Sequence, residues 1–460
     1  MELQNFIGGD FVSAESKKTF PKYSPFDGSS LAEVSSSDAM DVIKALQQAK
    51  KAAVSFKDST LESRAQLLLK MADALAAKSE DVAYEEALYQ GLSQSFVLEN
   101  SVKVAEKVLR DTAASLLQPL PQQTLVQPTG IVGIITPWSL SLRLVIERLA
   151  PTLAAGNVAL VKVSEQSPIT VKILGEIFQE AALPAGVVNV LQGAAEVGAT
   201  IAGHPSIRAV SAAGKSATLE SIAKAGLTQF KKLQLSGGAK NPAMVLADFD
   251  FRNRMPEILF SFLMGQGQMC WNTSRIFVLE SFAKEFFEVL IDYLSTLQPL
   301  QNPRESSPWT PLISEAQSAH IHVKIQEGIS EHGKVFFGGE KTSGPGYFYK
   351  PTVMLDLPNC SVLQQDELQG PLLLITPVKY QHEILKWANT SYLAHSGVIW
   401  GPAEKVPKIA HQLECAHIWV NRWMKGESET IFGLKQSSFG NLDMKWFSSF
   451  YSDAKKLTEA

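Results

Sequence analysis

A chain of 460 residues with 45% hydrophobic and 19% charged side chains has the makeup of a folded protein of two or more domains, which excludes a disordered or fibrous chain. The formal charge of -4 and a pI near 6.1, with Lys and Arg scattered along the chain, argue against nucleic acid or an anionic membrane as partner and leave small-molecule chemistry as the expectation. Three cysteines, Cys270, Cys360 and Cys415, stand far apart without metal-type spacing, so neither a disulfide framework nor a metal site is expected, and a reducing, cytoplasmic home follows.

The first residues carry neither a basic start nor an apolar core, so no secretory signal is expected. The first third reads as helical. Val42, Ile43, Leu46, Ala49 and Ala53 form one apolar stripe, and Ala65, Leu68, Leu69, Ala72 and Leu75 form another behind a cap at Ser59 or Thr60. Residues 118–130 are rich in Pro and Gln and read as an arm. The most apolar stretch, 140–161, is interrupted by Arg143, Glu147, Arg148, Pro151 and Gly156, which excludes a membrane span.

From residue 131 short apolar runs at 131–136, 157–161, 187–191, 207–212 and 232–235 alternate with helical segments, the pattern of a parallel sheet with its ligand crevice at the carboxyl ends of the strands. A second such series occupies 243–247, 275–279, 371–378, 397–400 and 417–421. Gly237, Gly238 and Pro242 punctuate the boundary between the two, which predicts an α/β chain of two domains with a cleft between them. The first domain takes 1–117 and 131–238, the second 239–435. Residues 118–130 and 436–460 belong to neither series and read as an arm and tail that reach a partner subunit.

Two glycine motifs fall near this boundary. The segment 209–216 ends in Gly214-Lys215-Ser216 like a phosphate-binding loop, but Ala209 stands where that loop needs its first glycine. A strand running into Gly214 and a helix opening at Ser216 still offer backbone N–H groups and Lys215 to a pyrophosphate; the other reading is a plain strand-to-helix turn. Gly265-Gln266-Gly267 lacks the third glycine of a dinucleotide fingerprint. It leads instead into Gln268-Met269-Cys270, a lone thiol on a connector between a helix containing Ile258, Leu259, Phe262 and Leu263 and a strand containing Ile276, Phe277 and Val278. A nucleophilic cysteine and an ordinary buried one are both compatible with that position.

Further segments bear on the choice. Ile135-Thr136-Pro137-Trp138, Lys162-Val163-Ser164-Glu165, Leu183-Pro184-Ala185-Gly186-Val187-Val188-Asn189-Val190, the residues 235–242 and 265–275, and Glu367-Leu368-Gln369-Gly370-Pro371 follow one another in an order and at separations that resemble the aldehyde dehydrogenase superfamily over nearly the whole chain. The resemblance implies a Rossmann-like cofactor domain, a catalytic α/β domain and a small oligomerisation arm, assembled as a homodimer or homotetramer. It implies that Cys270 attacks a small-molecule aldehyde and that NAD accepts the hydride. Lys162 and Glu165 would hold the adenine ribose, Glu367 the nicotinamide ribose, and Gly214, Lys215, Thr136 and Trp138 the rest of the cofactor; the other reading makes Lys162 and Glu165 solvated helix-cap charges and Glu367 a loop carboxylate. A carboxylate at 165 disfavours a 2'-phosphate, hence NAD over NADP. Trp138, Leu140, Leu142, Trp271 and Phe432 are candidates for an apolar entrance, with core packing as the other reading.

The chain departs from the family at two chemical positions. Ser139 replaces the asparagine that donates to the developing oxyanion, and Ser236 replaces the glutamate that activates water for thioester hydrolysis. Lys215 in place of a phosphate-binding serine, and Phe432-Gly433-Leu434-Lys435, short of the usual glycine pair, are further departures. Three readings stay open: a working NAD-dependent enzyme with substitutes for the missing groups, an acylating relative that passes the acyl group to coenzyme A, and a catalytically weak binding or scaffold protein.

Overall fold

The computed structural model describes residues 2–118, 125–424 and 432–455. Part of the arm expected at 118–130, namely 119–124, lies outside the described residues, as do 456–460 of the tail.

Two sheets organise the chain. The first has eight strands in the spatial order Ser438–Gly440, Lys232–Gly237, Ala209–Gly214, Ile131–Ile135, Val158–Lys162, Val188–Leu191, Asn5–Ile7, Asp10–Val12. Its five central strands are parallel. Ile131–Ile135 and Val158–Lys162 are buried at every position, as strands covered by helices on both faces must be. The strand order reverses between Ile131–Ile135 and Ala209–Gly214. That switch point opens a crevice at the carboxyl ends, where ligands of open α/β sheets bind.

The second sheet has seven strands in the order Lys334–Phe337, Thr352–Leu355, Leu372–Val378, Thr273–Leu279, Asn241–Val245, Ser396–Trp400, His417–Val420, all parallel to their neighbours except the first. The chain leaves the first sheet at Gly237 and enters the second at Asn241. The carboxyl edge of one sheet therefore meets the amino edge of the other. Every strand expected in the two series is present, with ends displaced by one or two residues.

Three expectations need correction. The first third is not purely helical: strands Glu2–Leu3, Asn5–Ile7, Asp10–Val12, Thr19–Tyr23 and Ser30–Ser35 precede the helices, and Asn5–Ile7 pairs with Val188–Leu191. These strands are short and their apolar positions irregular, so no period-2 signal marked them. The tail after 435 does not stand wholly apart from the sheets, because Ser438–Gly440 runs antiparallel to Lys232–Gly237. Farther along the tail, Ser452–Lys455 pairs with Leu125–Pro128 as a two-stranded ribbon. Two strands of the second sheet, Lys334–Phe337 and Thr352–Leu355, were also not anticipated.

Helices Ala39–Phe56 and Leu61–Ala77 carry the two expected stripes except at Ile43 and Leu69, which are exposed. Asp38 caps the first by accepting from the Met40 N–H, and Thr60, not Ser59, caps the second by accepting from Ser63.

Candidate active site

Cys270 sits half-buried on a connector whose shape depends on left-handed backbone. Helix Phe251–Leu263 gives way to a short 3-10 turn, Met264–Gly267, in which Gly265, Gln266 and Gly267 all have positive φ, at 61°, 57° and 67°. A side chain at 267 would bring its Cβ within 2.3 Å of the Gly370 carbonyl oxygen, so this position accepts only glycine. Gln266 holds the strained conformation while fully buried, its Nε2 donating to the Tyr349 carbonyl at 2.6 Å.

The loop is then fastened by amides. Asn272 Nδ2 donates to the carbonyls of Ser261 and Met264 at 3.1 and 2.9 Å, satisfying acceptors that the helix end leaves open, and its Oδ1 accepts from the Met269 N–H. Asn241, first residue of its strand, donates to the carbonyls of Cys270 and Asn272 at 2.7 and 2.9 Å. Trp423 Nε1 donates to the Trp271 carbonyl at 3.1 Å. The sulfur is thus carried on a turn tied to both a helix and a sheet.

A cavity of about 890 Å³ opens between the two sheets, near the upper end of the roughly 300–1,000 Å³ usual for ligand sites. All ten candidate residues line it. Thr136, Trp138 and Ser139 follow strand Ile131–Ile135; Lys162 and Glu165 end and follow Val158–Lys162; Gly214 and Lys215 close Ala209–Gly214; Ser236 lies in Lys232–Gly237; Cys270 and Glu367 come from the second sheet's connectors. Of the five side chains offered for an apolar entrance, Trp138 and Trp271 line this cavity, whereas Leu140, Leu142 and Phe432 do not.

The cavity's chemistry fits a dinucleotide. Lys162 Nζ donates to Glu165 Oε2 at 3.0 Å, an ammonium and a carboxylate side by side where a diol can bond both. Helix Ser216–Leu227 begins with no side-chain cap, and its first-turn residues Ala217 and Thr218 line the cavity, leaving N–H groups for an anion. Thr136 is buried, and its Oγ1 has no partner within the protein.

Burial dominates the electrostatics. It pushes the Cys270 thiol up to about 12; the Glu367 and Glu147 carboxylates push the same way, while Arg143 and Arg148 oppose them. The resting sulfur is accordingly a neutral thiol at pH 7. Burial also raises Glu367 to about 7, against Lys215, the Gln369 amide at 3.0 Å, the Ala239 N–H and Lys240. Among the described residues no group of three His, Cys, Asp or Glu is placed to hold a metal ion.

Four charged residues of this neighbourhood escaped attention as site residues. Lys240 is fully buried, its Nζ has no partner, and burial beside Arg275 brings it down to about 7. Arg143, Glu147 and Arg148 lie on helix Ser141–Ala154, buried along its whole length, and Glu147 and Arg148 line the cavity. Three charges on so apolar a helix were the available signal.

The aldehyde dehydrogenase family model matches residues 11–457. The 2-aminomuconic semialdehyde dehydrogenase of Bos taurus is 28% identical over 477 residues, covering 99% of this chain and 98% of that protein. An aldehyde dehydrogenase of Enchytraeus buchholzi is 30% identical over 446 residues, covering 93% and 89%. The structure of an aldehyde dehydrogenase from Bacillus cereus in complex with NAD+ superposes with a TM-score of 0.91 at 27% identity, covering 100% of this chain and 97% of that one. The same architecture over the same span, with a thiol at the meeting of the two sheets, leaves one conclusion: the chain belongs to the aldehyde dehydrogenase family.

Proposed function

We propose that this family member oxidises an aldehyde with NAD through covalent catalysis at Cys270. Aldehyde oxidation and dependence on NAD follow from the family and from the NAD+ complex of a structural relative. The residue roles are our reading. One observation supports them above all, the convergence of Cys270, Glu367, Lys162, Glu165 and the open helix end at Ser216 on a single cavity.

Lys162 and Glu165 bond the adenine ribose, Thr136, Trp138, Gly214 and Lys215 hold the remainder of the dinucleotide, and Glu367 orients the nicotinamide ribose. Bound NAD supplies the hydride acceptor. The Cys270 thiol adds across the aldehyde C=O, its sulfur to carbon and its proton to oxygen; loss of a hydride to NAD and of the hydroxyl proton to water would leave the acyl group on the sulfur as a thioester. Ser139 is the side chain nearest in sequence to the place of an oxyanion donor, and Ser236 stands where water would be activated. Neither hydroxyl matches an amide or a carboxylate in that work. Losing one oxyanion donor typically costs roughly 10²–10³ in rate, and lacking a positioned base about 10²–10⁴.

Acyl transfer to coenzyme A is the second reading, favoured by the absence of a carboxylate at Ser236. Domains at 1–117 with 131–238 and at 239–435, a homodimer or homotetramer built through the arm and tail, and a cytoplasmic home complete the proposal. Three unpaired cysteines support the last of these.

NADH formation with an aldehyde panel, with and without coenzyme A, tests the scheme. A burst of one NADH per chain that then stalls is the expected result in water alone. Coenzyme A-dependent turnover would select the acylating reading, and no NADH under either condition would leave only a binding protein.

A further inference from the structure

We propose that Arg143 is the wall that closes the cavity behind Cys270, so that the sulfur lies at a blind end and the aldehyde enters by the same mouth as NAD. The inference rests on NAD occupying this cavity, and it concerns access to the thiol, whatever the thiol then does.

Exposure along the cavity's lining is uneven. Lys215, Ala217, Thr218, Ala316 and His320, at the starts of helices Ser216–Leu227 and Glu315–Ser330, are exposed. Around the sulfur, Leu144, Glu147, Arg148, Gln268 and Trp271 are all buried. The mouth therefore lies beside the open helix end at Ser216, and the thiol lies deep to it.

A second cavity, of about 410 Å³, stands behind that deep end. Phe96, Asn100, Phe260, Trp423 and Met424 line it together with Pro256, which is exposed and so places this cavity at the surface. Among the described residues none lines both cavities. The separating layer is thin. Trp271 lines the first cavity, and its carbonyl accepts from Nε1 of Trp423, which lines the second. Arg143 spans the same two linings: its guanidinium lies 5.1 Å from the centre of the Trp271 ring, and its Nη1 donates to the Asn100 carbonyl at 3.2 Å.

This wall is fastened on both sides. Arg143 Nε donates to Glu147 Oε1 at 2.7 Å. Asn100 belongs to a π-helical turn, Leu98–Val102, whose Ser101 hydroxyl accepts from the Arg143 N–H at 3.4 Å and donates to buried Glu86 at 2.7 Å. Such turns are rare and recur at functional sites; here one brings a carbonyl and a hydroxyl to the same arginine. The guanidinium cannot swing aside without stripping a buried carboxylate of its close donor. Arg143 is thereby a specificity-determining residue, restricting the aldehyde to one short enough for the blind end.

Iodoacetamide labelling of Cys270 in the full chain, followed by mass spectrometry of the peptide, reads access without turnover. NAD at about 100 times its Kd, set by calorimetry, leaves about one cavity in 100 empty, so labelling of the parent protein should slow by at least about tenfold. In Arg143→Ala, where Glu147 keeps Arg148 as counter-ion, the cavities join and the slowing should drop to about twofold or less. Arg143→Met removes the same charge but keeps the bulk, and its slowing should stay within about threefold of the parent's. Comparing each protein with and without NAD cancels any change in thiol acidity between variants.

Reagent size gives a second measurement that needs no cofactor. The labelling rate with N-benzyl iodoacetamide relative to iodoacetamide should rise about tenfold or more in Arg143→Ala and stay at the parent's value in Arg143→Met. Saturable NAD binding with undiminished labelling of the parent overturns the blind end and leaves the cofactor reading intact, a result read without any variant. No NAD binding removes the cofactor reading, and the reagent ratio then decides on the wall. A reagent ratio equal in all three proteins overturns the wall.

Discussion

Toward Lys162 the cavity presents backbone N–H groups and a matched ion pair, whereas around the sulfur it presents the two short hydroxyls of Ser139 and Ser236. The first arrangement depends on strand ends and a helix start, which persist as long as the sheet does. The second depends on individual side chains. The difference separates holding a dinucleotide from completing a reaction: one can stay intact while the other is rebuilt residue by residue.

The comparison breaks most sharply at the sulfur. Cys270→Ala should lower NADH formation by at least about 10³-fold while NAD affinity measured by calorimetry stays within about twofold. Retained turnover would place the chemistry elsewhere. Ser236→Glu comes next. Restoring a carboxylate should raise steady-state hydrolytic turnover by about 10²–10⁴-fold and leave the initial burst rate nearly unchanged. If the steady state does not move, Ser236 is not the water-activating position.

Ser139→Asn should raise the burst rate itself by about 10²–10³-fold, read in stopped flow, because an amide donor acts on formation of the tetrahedral adduct. The last prediction concerns the thiol's acidity. With the pKa raised to about 12, the thiolate fraction is small at neutrality and grows with pH, so iodoacetamide labelling should climb about tenfold per unit from pH 7 to 10 with no plateau. Glu367→Gln removes a carboxylate that opposes ionisation, lowers that pKa and should speed labelling at pH 8 by about threefold or more. A plateau below pH 9 in the parent protein would contradict the neutral resting thiol.

Both parallel series were legible because buried strands such as Ile131–Ile135 and Val158–Lys162 are continuous Ile/Val-rich runs flanked by helical periodicity. The ten candidate residues were legible through motifs, each with a recognisable local pattern around it. Asn5–Ile7 and Ser438–Gly440 were not, since their pairing partners lie far along the chain and a three-residue strand carries no period of its own. Arg143, Glu147 and Arg148 were visible but read for the wrong question, as interruptions of an apolar run. Only their shared burial beside the cavity gives them meaning.

The ribbon of Ser452–Lys455 with Leu125–Pro128 ends a segment that closes on the heart of its own chain. The Tyr451 carbonyl accepts from Asn157 Nδ2 and from the Thr129 N–H, and its hydroxyl reaches Gln234, two residues before Ser236. Tyr451 thus works as a latch on three strands that feed the cavity, without lining it. Clipping the chain just ahead of Tyr451 should therefore unfasten the reactive centre from behind, although every group facing the substrate would still be present.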